Sequence, residues 1–180
     1  VEVFGHEDGL LRAATGTSGQ PDVWGTAFAV AHGFLSPTVE RRACAALARG
    51  CRDADLAWKG QIRQVPPQAD VNPGQPWERL IQPAPEASAQ NGAYSAMATG
   101  WVCDAVYRAD PDLAGRLVQQ LVNHFREEDF RNGESSGAPW GWAHPRGDYR
   151  NERGYLAAMT GPLISFFRNG WMSASEEMTE

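Results

Sequence analysis

Two sets of residues in this sequence have types and placements that could do chemistry. The first is a scatter of carboxylates: Asp22, Asp70, Glu78, Asp148 and Glu152. Two such groups, one held protonated by an apolar setting and one ionised, can share the work of cleaving a bond. Each also has a plainer reading. Asp22 stands just before an apolar run and suits a helix N-cap. Glu78 follows Trp77, whose ring could wall its carboxyl, but a solvated loop glutamate fits as well. Glu152 lies between Asn151 and Arg153, so a salt bridge explains it equally. The second set is aromatic. Trp58, Trp77, Trp140 and Trp142 sit in Gly- and Pro-rich stretches, and Trp24, Trp77, Tyr94, Trp140, Trp142 and Tyr149 are available as platforms, with Gln90, Asn91, Arg63 and His144 as polar partners in the same set. Aromatic faces with polar neighbours bind flat, partly apolar rings. Trp24 and Tyr94 could instead pack against neighbouring helices, and His144 could simply cap a turn before Pro145.

The bounds on function are firm in one direction. Sixteen Lys and Arg against twenty-two Asp and Glu give a net charge of −6, which argues against nucleic acid or an anionic membrane as the main partner. No window approaches the eighteen apolar residues of a membrane span. The start, VEVFGHEDG, carries no signal-peptide pattern. Three cysteines, Cys44, Cys51 and Cys103, are too few and too odd for a disulfide framework and read as buried thiols. No Cys or His pair has zinc-ligand spacing, and nothing asks for a metal or a cofactor. At 180 residues the length suits one domain with one sizeable core.

The elements that would position these residues repeat. QPDVWGTAFAVAHGFLSPTVERRACAALARG and QNGAYSAMATGWVCDAVYRADPDLAGRLVQQLVNHF each begin with Gln, reach an aromatic four residues on, run through small residues, and meet a proline that opens a second helix. A third copy begins at YLAAMTGPLISFF. The spacing predicts helix pairs at about 23–50 and 93–128, a lone helix at about 154–169, and a polar tail over 171–180. In the second members, Leu113, Leu117, Val118, Leu121, Val122 and Phe125 form one stripe, with Asp110 as N-cap and Pro111 at the first helical position. The first members are small or apolar all round, which marks inner helices. Asp8-Gly9 is a hairpin signal, KGQIRQV reads as a short strand, and the long segments from Asp70 to Gln90 and Arg131 to Arg153 read as functional loops. The fold class expected is all-α, part of an (α/α)6 toroid with short β-hairpins at its mouth.

QPDVWGTAFAV, QNGAYSAMATGW and APWGWAHP together resemble the six-hairpin (α/α)6 glycosidase superfamily, and its bacterial hydrolases in particular, from about Val3 to Phe167. The resemblance implies a carbohydrate substrate held in a cleft at the loop end. Asp22, Glu78 and Glu152 would be the catalytic carboxylates, and Trp24, Trp77, Gln90, Asn91, Tyr94, Trp140, Trp142 and His144 the binding residues. Hydrolysis of a glycosidic bond sets two carboxyl groups roughly 5 to 9.5 Å apart. Two departures stand against the pattern. Only five of about twelve helices are present, so a second chain or a missing N-terminal segment would complete the barrel. Gly141 stands where the family often carries Glu, which leaves a non-catalytic carbohydrate-binding relative, or a helical scaffold or isomerase, as alternatives.

Overall fold

The structure, a computed structural model, describes residues 4–5, 8–15, 19–53, 55–67, 89, 91–128, 140–147, 149–153 and 156–172. Among them five helices alternate with seven short strands. In chain order these are β1 (Leu11–Arg12), β2 (Pro21–Asp22), α1 (Val23–Ala31), α2 (Pro37–Asp53), β3 (Ala57–Trp58) and β4 (Gln61–Arg63). They continue with β5 (Tyr94–Ser95), α3 (Thr99–Tyr107), α4 (Pro111–Glu127), β6 (Trp140–Ala143), β7 (Arg150–Arg153) and α5 (Leu156–Arg168).

Local chemistry explains where the helices begin. Asp22 caps α1, its side chain accepting from the Gly25 amide at 3.0 Å. Asp110 caps α4 by accepting from Leu113 N at 2.9 Å, and Pro111 follows at the first helical position, where its missing N–H costs nothing. The stripe on α4 buries Leu113, Leu117, Val118 and Leu121. Helix α3, buried along Thr99, Gly100, Val102, Cys103, Ala105 and Val106, packs against α1, α2, α4 and α5. Its small residues permit that: a Cβ on Gly100 would stand 2.7 Å from Ser165 Cβ of α5.

The expectation of an all-α toroid is overturned by two antiparallel sheets. One pairs β1 with β2; the other has five strands in the order β3-β4-β5-β6-β7. The physical reason is length and distance. These strands have two to four residues, too short to show a period of two, and β4, β5 and β6 are paired across wide gaps in the sequence. In the expected helix pair at 93–128, the first member starts later than its run of small residues. Tyr94 and Ser95 lie in β5, and α3 starts only at Thr99. Residues 32–36 separate α1 from α2. The polar tail is corrected at its start, because Trp171 and Met172 pack against the core.

The hairpin at Trp58-Lys59-Gly60-Gln61 shows how sequence seats the sheet on the helices. Lys59 and Gly60 form its two-residue turn with φ of 51° and 75°, the positive pair that matches the twist of a tight hairpin. Gly60 lies so close to α4 that a Cβ there would stand 2.5 Å from Leu121 N and 2.6 Å from Leu117 O. Its carbonyl accepts from Thr99 Oγ1 of α3 at 2.8 Å. Ile62, fully buried, joins the strand to the helical core.

Candidate functional site

The five-stranded sheet gathers side chains from five separate segments. Register gives each face its members, because antiparallel partners point to the same side and neighbours alternate. Trp58 pairs with Gln61, Arg63 with Tyr94, and Tyr94 with Ala143, so Trp58, Gln61, Arg63 and Tyr94 share one face. Ile62, Ser95 and Trp142 belong to the other.

On the first face the rings form a chain. Trp58 lies 5.9 Å from Tyr94 and 5.9 Å from the imidazole of His124 on α4, centroid to centroid. The Arg63 guanidinium sits 5.6 Å above the Tyr94 ring, within the range of a cation–π contact. The Tyr94 hydroxyl donates to Asp55 O at 2.7 Å, which fixes the ring. Gln61 is 1% exposed and His124 3%, yet neither the Gln61 carboxamide nor the two His124 nitrogens have a hydrogen-bond partner among the described residues. Burial, reinforced by the cations of Lys59 and Arg150 and opposed by Glu127, holds the His124 pKa down to about 4. The imidazole is therefore neutral at pH 7, one nitrogen a donor and the other an acceptor.

The second face is buried as well. Trp24 of α1 stacks on Trp142 at 5.1 Å and 16°, and its indole N–H donates to Ile62 O at 3.3 Å. Trp142 is 5% exposed, so its ring is occupied by Trp24. Trp140, two residues earlier on β6, is half-buried with the Arg150 guanidinium 5.9 Å from its ring.

The other residues singled out by sequence divide clearly. Asn91 is buried in an isolated bridge before β5. His144 opens a turn, its carbonyl accepting from Gly147 N and its Nδ1 from Arg146 N at 3.3 Å, while its backbone N–H donates to Tyr149 O. Asp22 spends its side chain on the α1 cap; burial raises its pKa and the Gly25 and Trp24 amides pull it down. Glu152 lies on β7, where the flanking pairs Trp140–Arg153 and Trp142–Asn151 set it opposite Gly141 in the register. Asp70, Trp77, Glu78, Gln90 and Asp148 lie outside the described residues.

Sequence reading named Trp58 without giving it a binding role and missed Gln61 and His124. A signal for His124 existed: it falls seven residues after Leu117 and three after Leu121, on the buried stripe of α4, where a neutral polar side chain needs a reason. Gln61 carried none, since strand β4 is too short to reveal its faces. Cys44, Cys51 and Cys103 are free thiols, and among the described residues no group of three metal-binding side chains occurs. No helix among them is long and apolar enough to cross a membrane. Comparison with family models, curated proteins and solved structures finds no match.

Proposed function

We propose that this chain recognises carbohydrate at the Trp58 edge of its five-stranded sheet. The observation that carries the reading is the ring cluster of Trp58, Tyr94 and His124 with the buried, unpartnered Gln61 carboxamide beside it. A pyranose has apolar faces that stack on indole and phenol rings, and hydroxyls that need paired donors and acceptors. Trp58, half-buried on the edge strand β3, is the most exposed ring of the cluster, with Lys59 Nζ 5.6 Å from its centroid, while the polar atoms of Gln61 and His124 are buried. The resemblance of QPDVWGTAFAV, QNGAYSAMATGW and APWGWAHP to glycosidase sequences points the same way. Isothermal titration against a panel of neutral and acidic oligosaccharides tests it. Saturable binding that Trp58→Ala weakens roughly tenfold is expected, in line with losing one ring contact and its buried area. No binding across the panel sinks the reading.

Cleavage is a second reading, and two observations favour it. Asp22 has a carboxyl pKa raised by burial, as a general acid requires, and Glu152 stands opposite Gly141, where the glycosidases often carry Glu. Product analysis after a day with each bound oligosaccharide decides it. Loss of turnover in both Asp22→Asn and Glu152→Gln, with binding retained, supports hydrolysis; intact sugar with the unaltered chain overturns it.

A further inference from the structure

We propose that the hollow where α1, α3 and α5 end is a second binding site, for one uncharged polyhydroxylated ring such as a neutral sugar. It shares no residue with the Trp58 edge and stands or falls without it. The three helices finish together. Ala31, Tyr107 and Arg168 are their last residues, and all three line one cavity of about 320 Å³, at the small end of the range for small-molecule sites. The cavity is open to solvent, because Tyr107 is 50% exposed and the Arg108 and Arg168 side chains beside it are exposed as well. Trp171 lines it too. Its ring lies 5.8 Å from Tyr107 at 56° and 6.0 Å from the buried Phe166, so the two lining rings meet at a corner that the core supports.

The polar groups of the hollow are held in place by one carboxylate. Asp104 Oδ1 accepts from Ser165 Oγ at 3.0 Å and Asn169 Nδ2 at 2.6 Å, and Oδ2 accepts from Arg168 Nη2 at 3.0 Å. This latch ties α3 to the end of α5 and needs no ligand to explain it. It leaves the Asn169 carbonyl oxygen, a second acceptor place on Asp104 Oδ2, the Tyr107 hydroxyl and most of the two guanidinium edges unused among the described residues. Donors and acceptors therefore surround one opening beside an exposed phenol ring, the combination that hydroxyls on a ring with an apolar face require. Charge selects against ions. Three helix C-termini bring their partial negative charge to the hollow together with Asp104. Each arginine is already matched, Arg168 by Asp104 and Arg108 by Glu40. A carboxylate or phosphate ligand thus finds no unopposed cation, and an ammonium would sit beside two guanidinium groups. A neutral ring meets neither penalty.

Heteronuclear NMR titration of the unaltered chain tests the site. The probes are the methyl glycosides of glucose, galactose, mannose and xylose, with methyl glucuronide and glucosamine as the anionic and cationic comparisons. One neutral glycoside is expected to shift the Trp171 indole and Arg168 Nε–H signals saturably, and to bind more tightly than either charged sugar. Tighter binding of the glucuronide or of glucosamine overturns the proposal. Tyr107→Ala removes the exposed ring and should weaken the neutral glycoside roughly tenfold while the remaining spectrum stays that of the folded chain. Unchanged affinity in that variant overturns the site. Should it not fold, Arg108→Met takes its place under the same two outcomes, since losing an exposed ion pair costs the fold little. The Trp58 indole reports the other reading separately. Shifts at Trp58 alone remove the hollow and leave the sheet edge, shifts at Trp171 alone do the reverse, and failure of every sugar removes both.

Discussion

His124 is buried and Asp22 half-buried, and desolvation pushes their pKa values in opposite directions. The imidazole prefers to be neutral in the folded chain, at a pKa of about 4 against 6.5 ordinarily, so the unfolded chain holds its proton more tightly. Its contribution to stability is complete above about pH 6.5 and is lost as pH falls towards 4, a change on the order of 3 kcal/mol. Urea titrations between pH 7 and 4 should show a shallower acid loss in His124→Gln than in the unaltered chain; parallel curves would mean the imidazole is solvated. For Asp22 the sign reverses. Its folded pKa is raised, so stability falls as pH climbs from the ordinary aspartate value through the folded one, and is level above it. The Asp22→Asn variant keeps the acceptor that caps Gly25 N and should remain within about 0.5 kcal/mol of the parent at pH 7, whereas Asp22→Ala should lose about 1 kcal/mol. An Asn variant as weak as the Ala variant would show that the negative charge, not the cap, is what α1 uses.

At the scale of elements the β3–β4 hairpin matters most, because it carries Trp58 and Gln61 and rests on two helices. Gly60 has a φ of 75° and no room for a Cβ against Leu117 and Leu121. Gly60→Ala therefore meets backbone strain and a clash with atoms that cannot swing aside, and should destabilise the chain by about 3 kcal/mol. Urea unfolding measures it, and tryptophan emission should shift with it as Trp58 is pushed off His124. A loss under 1 kcal/mol would mean the hairpin is not seated on α4. Helices were the legible part of this sequence. Asp110-Pro111 and the Leu113–Leu117–Leu121 stripe mark α4 by local chemistry alone, and the repeated proline places α2. Strands β4, β5 and β6 were not legible as one sheet. KGQIRQV shows a strand, but nothing local in it says that its partner is Tyr94-Ser95, some thirty residues on. Tyr94 misled for the same reason: small residues follow it as they follow Trp24, yet backbone pairing with Arg63 holds it extended.

The same long-range pairing decides how the site was read. Trp24 and Trp142 look alike in sequence as candidate platforms, and only the sheet shows that they stack on each other. Across the whole molecule, sheet and helices share one core. Ile62 and Ala96 lie in the same buried cluster as Leu47, Val102, Leu117, Leu121 and Phe166, and α3 touches every other helix as well as β4. The surface ion pairs Arg52–Asp110, Arg108–Glu40 and Lys59–Glu127 join elements distant in sequence, but exposed pairs contribute little each, so cohesion rests on the apolar contacts. A continuous core predicts one cooperative transition. Far-UV circular dichroism follows the five helices, while fluorescence is weighted towards Trp24, Trp58, Trp140 and Trp142 around the sheet. In a urea titration at pH 7.5 the two signals should give the same midpoint and slope. Raising the salt to 1 M, which shortens the screening length to about 3 Å, should shift both together and only slightly. A fluorescence change that precedes the loss of helix would mean that the sheet opens by itself, before the helical core.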